Sequence, residues 1–210
     1  MAKSKICSIL IWSIAYLFRF VSLSQPVLSE SELRQKIVKA QQKYLTVRED
    51  RYWSNTQKAW IYTNRGLEVD KIQKRAGCDL GCYWCGAYQV VLYQDAGINV
   101  RTDLEIKNPL AVKEWFNRGS RIVYRRGSGN QRTGVFPQKG DQMRMFYSHI
   151  EMYVGDDWLK DFARKRIPSG GGNTSGGKGW HGVYITNRNL NEIQLVSNHI
   201  SFYYNKQKKL

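Results

Sequence analysis

Cysteine is scarce, with four residues in a chain of 210, too few for a disulfide-held scaffold. Proline is as rare at four, and eighteen glycines exclude a collagenous or low-complexity chain. Histidine occurs three times, so chemistry that needs an imidazole has few places to find one. The deepest deficit is in acids: 17 Asp and Glu stand against 33 Lys and Arg, a net charge of +16. A balance this basic calls for a polyanionic neighbour: nucleic acid, an anionic membrane face or an acidic wall polymer. No apolar run reaches the roughly 20 residues of a comfortable membrane span. What is present is a core-forming supply, 42% hydrophobic and 13% aromatic, which excludes global disorder and suits one domain.

The N-terminus sets the compartment. Lys3 and Lys5 precede an apolar run from Ile6 to Phe18, and Ser22-Leu23-Ser24 follows as a small-x-small exit. Basic start, short apolar stretch and small exit make a secretory signal over residues 1–24; the competing reading is an uncleaved anchor. Removing residues 1–24 takes away Lys3, Lys5 and Arg19 and no acid, which leaves the exported chain at +13. The expected location is secreted or periplasmic. Export argues against nucleic acid as partner and for peptidoglycan or another anionic wall polymer, with no stable membrane span after cleavage.

Residues 25–210 read as a single domain. With Ser31 as N-cap, a helix is expected over 32–44, and a second short helix near 56–65 around Trp60, Ile61 and Tyr62. Residues 66–81 are mixed, broken by Gly66, Gly77 and Gly81. Cys85, Tyr88, Val91, Leu92 and Ala96 fall at i, i+3, i+6, i+7 and i+11, a buried helix ended by Gly97. Pro109–Gly119 reads as another helix. Beyond Gly119 the pattern turns strand-like, at 121–125, 143–147, 149–154, 158–162, 180–186 and 192–202, with a glycine-rich turn around Gly170–Gly177. Helices first and antiparallel strands second make an α+β chain, N-terminal helices packed on a C-terminal sheet.

Cys85 stands at a helix start, where unsatisfied N–H groups and the helix dipole favour thiolate. A histidine would complete a nucleophile–base pair, and His149 is the best placed of His149, His181 and His199. On a strand His149, Glu151 and Tyr153 share one face while Ile150, Met152 and Val154 share the other, which becomes core. A third polar group should hold the far imidazole nitrogen. Asn173 is the first candidate and Glu151 the alternative. Tyr83 and Trp84 are expected to line the substrate cleft.

These residues resemble a known family. Tyr83-Trp84-Cys85-Gly86-Ala87-Tyr88 followed by Gln94-Asp95-Ala96-Gly97-Ile98 is similar to the "WCAAFV…QAGI" segment of CHAP and NlpC-like cysteine amidases, in their secreted Bacteroidetes-type branch. Tyr44-Leu45-Thr46-Val47-Arg48-Glu49 resembles the leading "LGVRE" stretch. Gly140-Asp141 with Ser148-His149-Ile150 resembles the "GD…GHVG" pair, and Gly172-Asn173-Thr174 with Gly182-Val183-Tyr184 the "GNTN…GVY" segment. The likeness spans about residues 33–200. It implies a papain-like fold and hydrolysis of amide bonds in peptidoglycan, with Cys85 as nucleophile, His149 as general base and Asn173 as orienting residue. The chain departs from the pattern at Thr46, Ser148 and Glu151, where the family has glycine, and at Gly86, where it has alanine.

Cys78 and Cys82 leave three readings open in an oxidising compartment: a Cys78–Cys82 disulfide with Cys85 free, a Cys82–Cys85 pair that disables the thiol, or a zinc site of all three cysteines with His149. The first is the working expectation, with no metal and no cofactor. Trp53, Trp60, Trp158 and Trp180 are assigned to the core in preference to sugar-stacking platforms. The activity expected is that of a cysteine peptidase or amidase acting on stem peptides or cross-links. The alternative is a non-catalytic wall-binding or host-interaction module that kept the fold.

Overall fold

A computed structural model describes residues 28–130, 134–176 and 179–209. The proposed signal at 1–24 lies outside them. Among the described residues nine strands form two antiparallel sheets, a two-stranded hairpin and a seven-stranded sheet of order β4-β3-β9-β5-β6-β7-β8. The elements run α1 (Glu30–Ala40), β1 (Arg51–Ser54), β2 (Ala59–Tyr62), α2 (Leu67–Ala76), α3 (Cys85–Asp95), β3 (Ile122–Arg125), β4 (Gly129–Asn130), β5 (Gln142–Met145), β6 (Ile150–Tyr153), α4 (Trp158–Ala163), β7 (Arg166–Ser175), β8 (His181–Asn189), β9 (Ile193–Ser197) and α5 (Ile200–Gln207). The class is therefore mixed α+β, with helices against an antiparallel sheet. Among these residues no helix is long and apolar enough to cross a membrane.

Helix α1 starts two residues earlier than expected. The cap is Ser29, not Ser31: Ser29 Oγ accepts from Glu32 N–H at 3.2 Å while Glu32 accepts from Ser29 N–H at 2.7 Å. That reciprocal S-x-x-E box satisfies two backbone donors at once, which Ser31 cannot do. Buried Arg34 then ties α1 to the sheet through Asp141, 2.8 Å away. Burial alone would push the Asp141 carboxyl up, and even beside Arg34 it stands at about 6. The Gly-Asp pair of the sequence is thus a structural anchor.

Several local readings change. Within 56–65, Ala59–Tyr62 form the second strand of a hairpin in place of the expected helix, with Trp53 opposite Trp60 and Arg51 opposite Tyr62; cross-strand pairing overrides the aromatic clustering that suggested a helix. Residues 67–76 are helical, capped at left-handed Gly77 (φ 75°). Pro109–Gly119 holds only a 3-10 turn, Val112–Phe116, with Trp115 buried beneath it. Trp158–Ala163 is a helix started by Asp157, whose side chain accepts from Lys160 N–H at 3.1 Å. The last strand stops at Ser197 and gives way to α5.

Helix α3 is buried on every side from Cys85 to Tyr93, Gln89 included, so it is a core helix rather than an amphipathic surface one. It packs on β6 and β7. Ile150 and Met152 face this core, while Met143, Met145, Tyr153, Ile167 and Trp158 of α4 build a second core on the other side of the sheet. Gly170–Gly172, expected in a turn, lie inside β7 because helix side chains need the space. A Cβ at Gly172 would lie 2.6 Å from Trp84 and Tyr88, and one at Gly171 2.6 Å from Glu151. At Gly86 the same atom would sit 2.7 Å from the Leu110 carbonyl, which accounts for glycine at a position where alanine would suit a helix better.

Candidate active site

Three elements meet at the start of α3. Trp84 is the N-cap residue and Cys85 the first helical one. Its thiol is not oxidised to a partner, because Cys78 and Cys82 are joined to each other in the loop between α2 and α3. That pairing also removes two of the thiolates a zinc site would need. A cleft of about 340 Å³ opens over Cys85, with His149, Tyr83, Tyr147, Asn173 and Arg188 among its walls. Cys85 is 6% and His149 8% exposed, so both look into the cleft from nearly dry positions.

His149 sits just before β6, following Ser148, whose φ of 56° lies in the left-handed region. That conformation is easy for glycine and costly for serine. The imidazole and the Cys85 thiol line the same cleft and influence each other electrostatically. The imidazole Nε2 lies 3.2 Å from Glu151 Oε1. The strand-face reading of His149 and Glu151 therefore corresponds to a direct contact between them. Burial alone would pull the imidazolium pKa down; hydrogen bonds and charge at Cys85 and Glu151 outweigh it and raise the pKa to about 9.

Glu151 is fully buried and its ionised form is held in place. Arg188 on β8 grips it with two nitrogens, Nε to Oε2 at 2.9 Å and Nη2 to Oε1, and Ser169 Oγ donates to Oε2 at 2.5 Å. Arg188 Nη2 also reaches Thr174 Oγ1 at 2.5 Å. Burial would raise the Glu151 pKa, but the Arg188 bonds and then His149 hold it well below the usual carboxylate range.

Asn173 borders the same cleft with a different job. It has φ 55° at a register shift between Gly171 and Thr174, a bulge that re-aims its side chain. With the amide oriented to satisfy its neighbours, its nitrogen donates to Glu49 Oε1 at 2.7 Å and its oxygen accepts from the Trp84 backbone N–H at 3.3 Å. Among the described residues the partner of His149 Nε2 is Glu151, so the position read from sequence as Asn173's is filled by the alternative. Trp84 does not line the cleft either. Its indole is fully buried, packs edge to face on Tyr88 and donates to Glu49 Oε1 at 2.9 Å. Tyr83, in contrast, is 80% exposed at the rim.

Sequence reasoning missed Arg188, Ser169 and Glu49. A carboxylate beside a histidine implies a cation behind it, but nothing in a chain with 33 Lys and Arg singles out Arg188 before the β7–β8 register is known. Glu49 lay within the "LGVRE" resemblance without a role. It is buried, accepts from Trp84, Asn173 and the Asn64 N–H, and has its pKa raised by burial. It supports the helix start beneath Cys85. Compared with family models, curated proteins and solved structures, the chain matches none, and its function therefore rests on this geometry.

Proposed function

We propose that the chain is an exported cysteine amidase or peptidase of papain-like design that hydrolyses amide bonds in peptidoglycan stem peptides or cross-links. The observation that carries the reading is the convergence of Cys85 and His149 on one cleft at a helix start, with the contacts His149–Glu151–Arg188 behind the imidazole. A buried thiol, a histidine and a clamped carboxylate in series serve nucleophilic catalysis, and no purely structural need calls for all of them at one opening.

In this mechanism Cys85 Sγ attacks the amide carbonyl carbon as thiolate, with His149 as imidazolium. The oxyanion is stabilised by backbone N–H groups at the start of α3, among them that of Cys85. His149 gives its proton to the leaving nitrogen, the C–N bond breaks, and an acyl-thioester remains on Cys85. The neutral imidazole then takes a proton from water as its oxygen attacks the thioester carbon. The acid departs and the thiolate–imidazolium pair is restored. Glu151 fixes the ring orientation and favours the imidazolium; Arg188 fixes Glu151. The excess of Lys and Arg gives an exported protein affinity for an anionic wall. Digestion of purified sacculi by the protein and by Cys85→Ala, followed by mass spectrometry of the muropeptides, tests the proposal: new amide-cleaved fragments are expected from the first and none from the second.

A further inference from the structure

Trp53, Trp60 and Trp180, all assigned to the core from sequence, instead form an exposed ledge; only Trp158 is buried. Trp53 and Trp60 are cross-strand partners whose rings meet edge to face at 5.7 Å, and they remain 49% and 48% exposed. Trp180, 39% exposed, precedes β8. The Arg51 guanidinium lies 4.2 Å from the Trp60 ring and 3.5 Å from the Trp180 ring, a planar cation between two indoles.

The ledge is fixed rather than loose. Arg51 Nη1 donates to the Gly179 carbonyl at 2.7 Å, the Tyr62 hydroxyl donates to the same oxygen, and Tyr62 stacks on His181 at 3.9 Å. A lone hairpin is marginal in water; this one is pinned by a bridge from Arg48 to Gly182 and by Glu49 N–H to the His181 carbonyl at 2.9 Å. The same contacts join it to the cleft, because His181 is the register partner of Ser175, a cleft residue. An exposed aromatic patch on a rigid support marks a binding surface.

Charge and composition narrow the occupant. Arg48 lies 4.2 Å from the Tyr184 ring. Among the described residues neither Arg48 nor Arg51 pairs with a carboxylate, although Arg48 Nη1 donates to the Leu45, Val47 and Val183 carbonyls. The hairpin face that carries Arg51, Trp53, Trp60 and Tyr62 holds rings and a cation, while Ile61 projects from the opposite face. A lipid surface would be met by aliphatic side chains as well as aromatic ones. Pyranose rings, in contrast, present flat C–H faces that stack on indoles while their hydroxyls stay hydrated, so half-exposed tryptophans suffice.

We infer that the ledge binds a polysaccharide strand bearing carboxylates, with its sugar rings against Trp53, Trp60 and Trp180 and its anionic groups at Arg48 and Arg51. A peptide branching from that strand is thereby delivered to the cleft. This last step rests on the proposed amide hydrolysis, whereas binding to the ledge does not. The test uses Cys85→Ala protein to prevent turnover and tryptophan fluorescence to follow binding. The probes are peptide-free glycan strands with free lactyl carboxylates, prepared from sacculi, and anionic phospholipid vesicles. Saturable binding to the strands is expected, with affinity about tenfold lower in Trp53→Ala/Trp60→Ala. With Cys85 intact, that double variant should still cleave a sugar-free stem peptide at the parent rate. If the double variant is misfolded, Trp180→Ala and Arg51→Gln separately carry the same expectation. Unchanged strand affinity in the variants, or binding to vesicles alone, overturns the ledge. Strand binding by a protein that cleaves nothing leaves the ledge standing and defeats the hydrolase; cleavage without strand binding does the reverse.

Discussion

A buried glutamate keeps its charge only if it is clamped, and Glu151 is clamped by Arg188, Ser169 and His149. The consequence falls on His149. Its pKa is raised from 6.5 to about 9, so its protonated form stabilises the fold fully below about pH 6.5, and that contribution is lost as pH rises through about 9. In activity, loss of the imidazolium proton sets the high-pH limb of kcat/KM, with an apparent pKa that belongs to the Cys85–His149 pair. Glu151→Gln removes the carboxylate and leaves the Arg188 cation beside the ring. The limb is then expected to move to lower pH by about one unit or more, while the low-pH limb moves little; a pH–rate profile checks it, and an unmoved limb would mean that the Glu151 contact does not tune the imidazole. Ser148 offers the opposite kind of test. At φ 56° it pays the left-handed cost that glycine avoids, so Ser148→Gly is expected to stabilise the protein by about 1 kcal/mol in denaturant unfolding.

Between elements, the decisive contact is α3 against β7, and glycine makes it possible. Gly172 lets Trp84 and Tyr88 rest on bare backbone, which brings the first residue of α3 to the cleft at the start of β6. Gly172→Ala would drive a methyl into both rings, at an expected cost of about 1–3 kcal/mol, and would push Cys85 away from His149. Activity should therefore fall by more than thermal stability suggests, as parallel measurements of kcat/KM and melting temperature would show. Element type was legible where one period dominated: the apolar positions recurring from Cys85 to Ala96 and stopped by Gly97 gave a helix, and the β6 alternation put His149 and Glu151 on one face. It was illegible where tertiary contact decided. The glycines of 170–172 look like a turn until helices are placed over them, and the tryptophans of 53 and 60 look like core until the hairpin is known to stand off the sheet. The choice between Asn173 and Glu151 likewise hung on a bulge at Gly171–Thr174, which no spacing reveals.

At the scale of the whole molecule, an excess of 13 positive charges over residues 25–210, a dry thiol–imidazole pair and an aromatic ledge lie on one exported chain in the proposed account. Each has a separate bland explanation; only a reaction joins them. The reaction depends on one atom, Cys85 Sγ, whose neighbours Cys78 and Cys82 are tied to each other. Replacing Cys85 by Ala removes a small side chain from a packed position, and unfolding free energy should change by about 1 kcal/mol or less, so a loss of activity in that variant cannot be laid to misfolding. The most direct measurement is muropeptide mass spectrometry after digestion of purified sacculi by wild-type and Cys85→Ala protein side by side. The account predicts amide-cleaved fragments from the wild type and an untouched profile from the folded variant; equal cleavage by both, or by neither, would contradict covalent catalysis at Cys85.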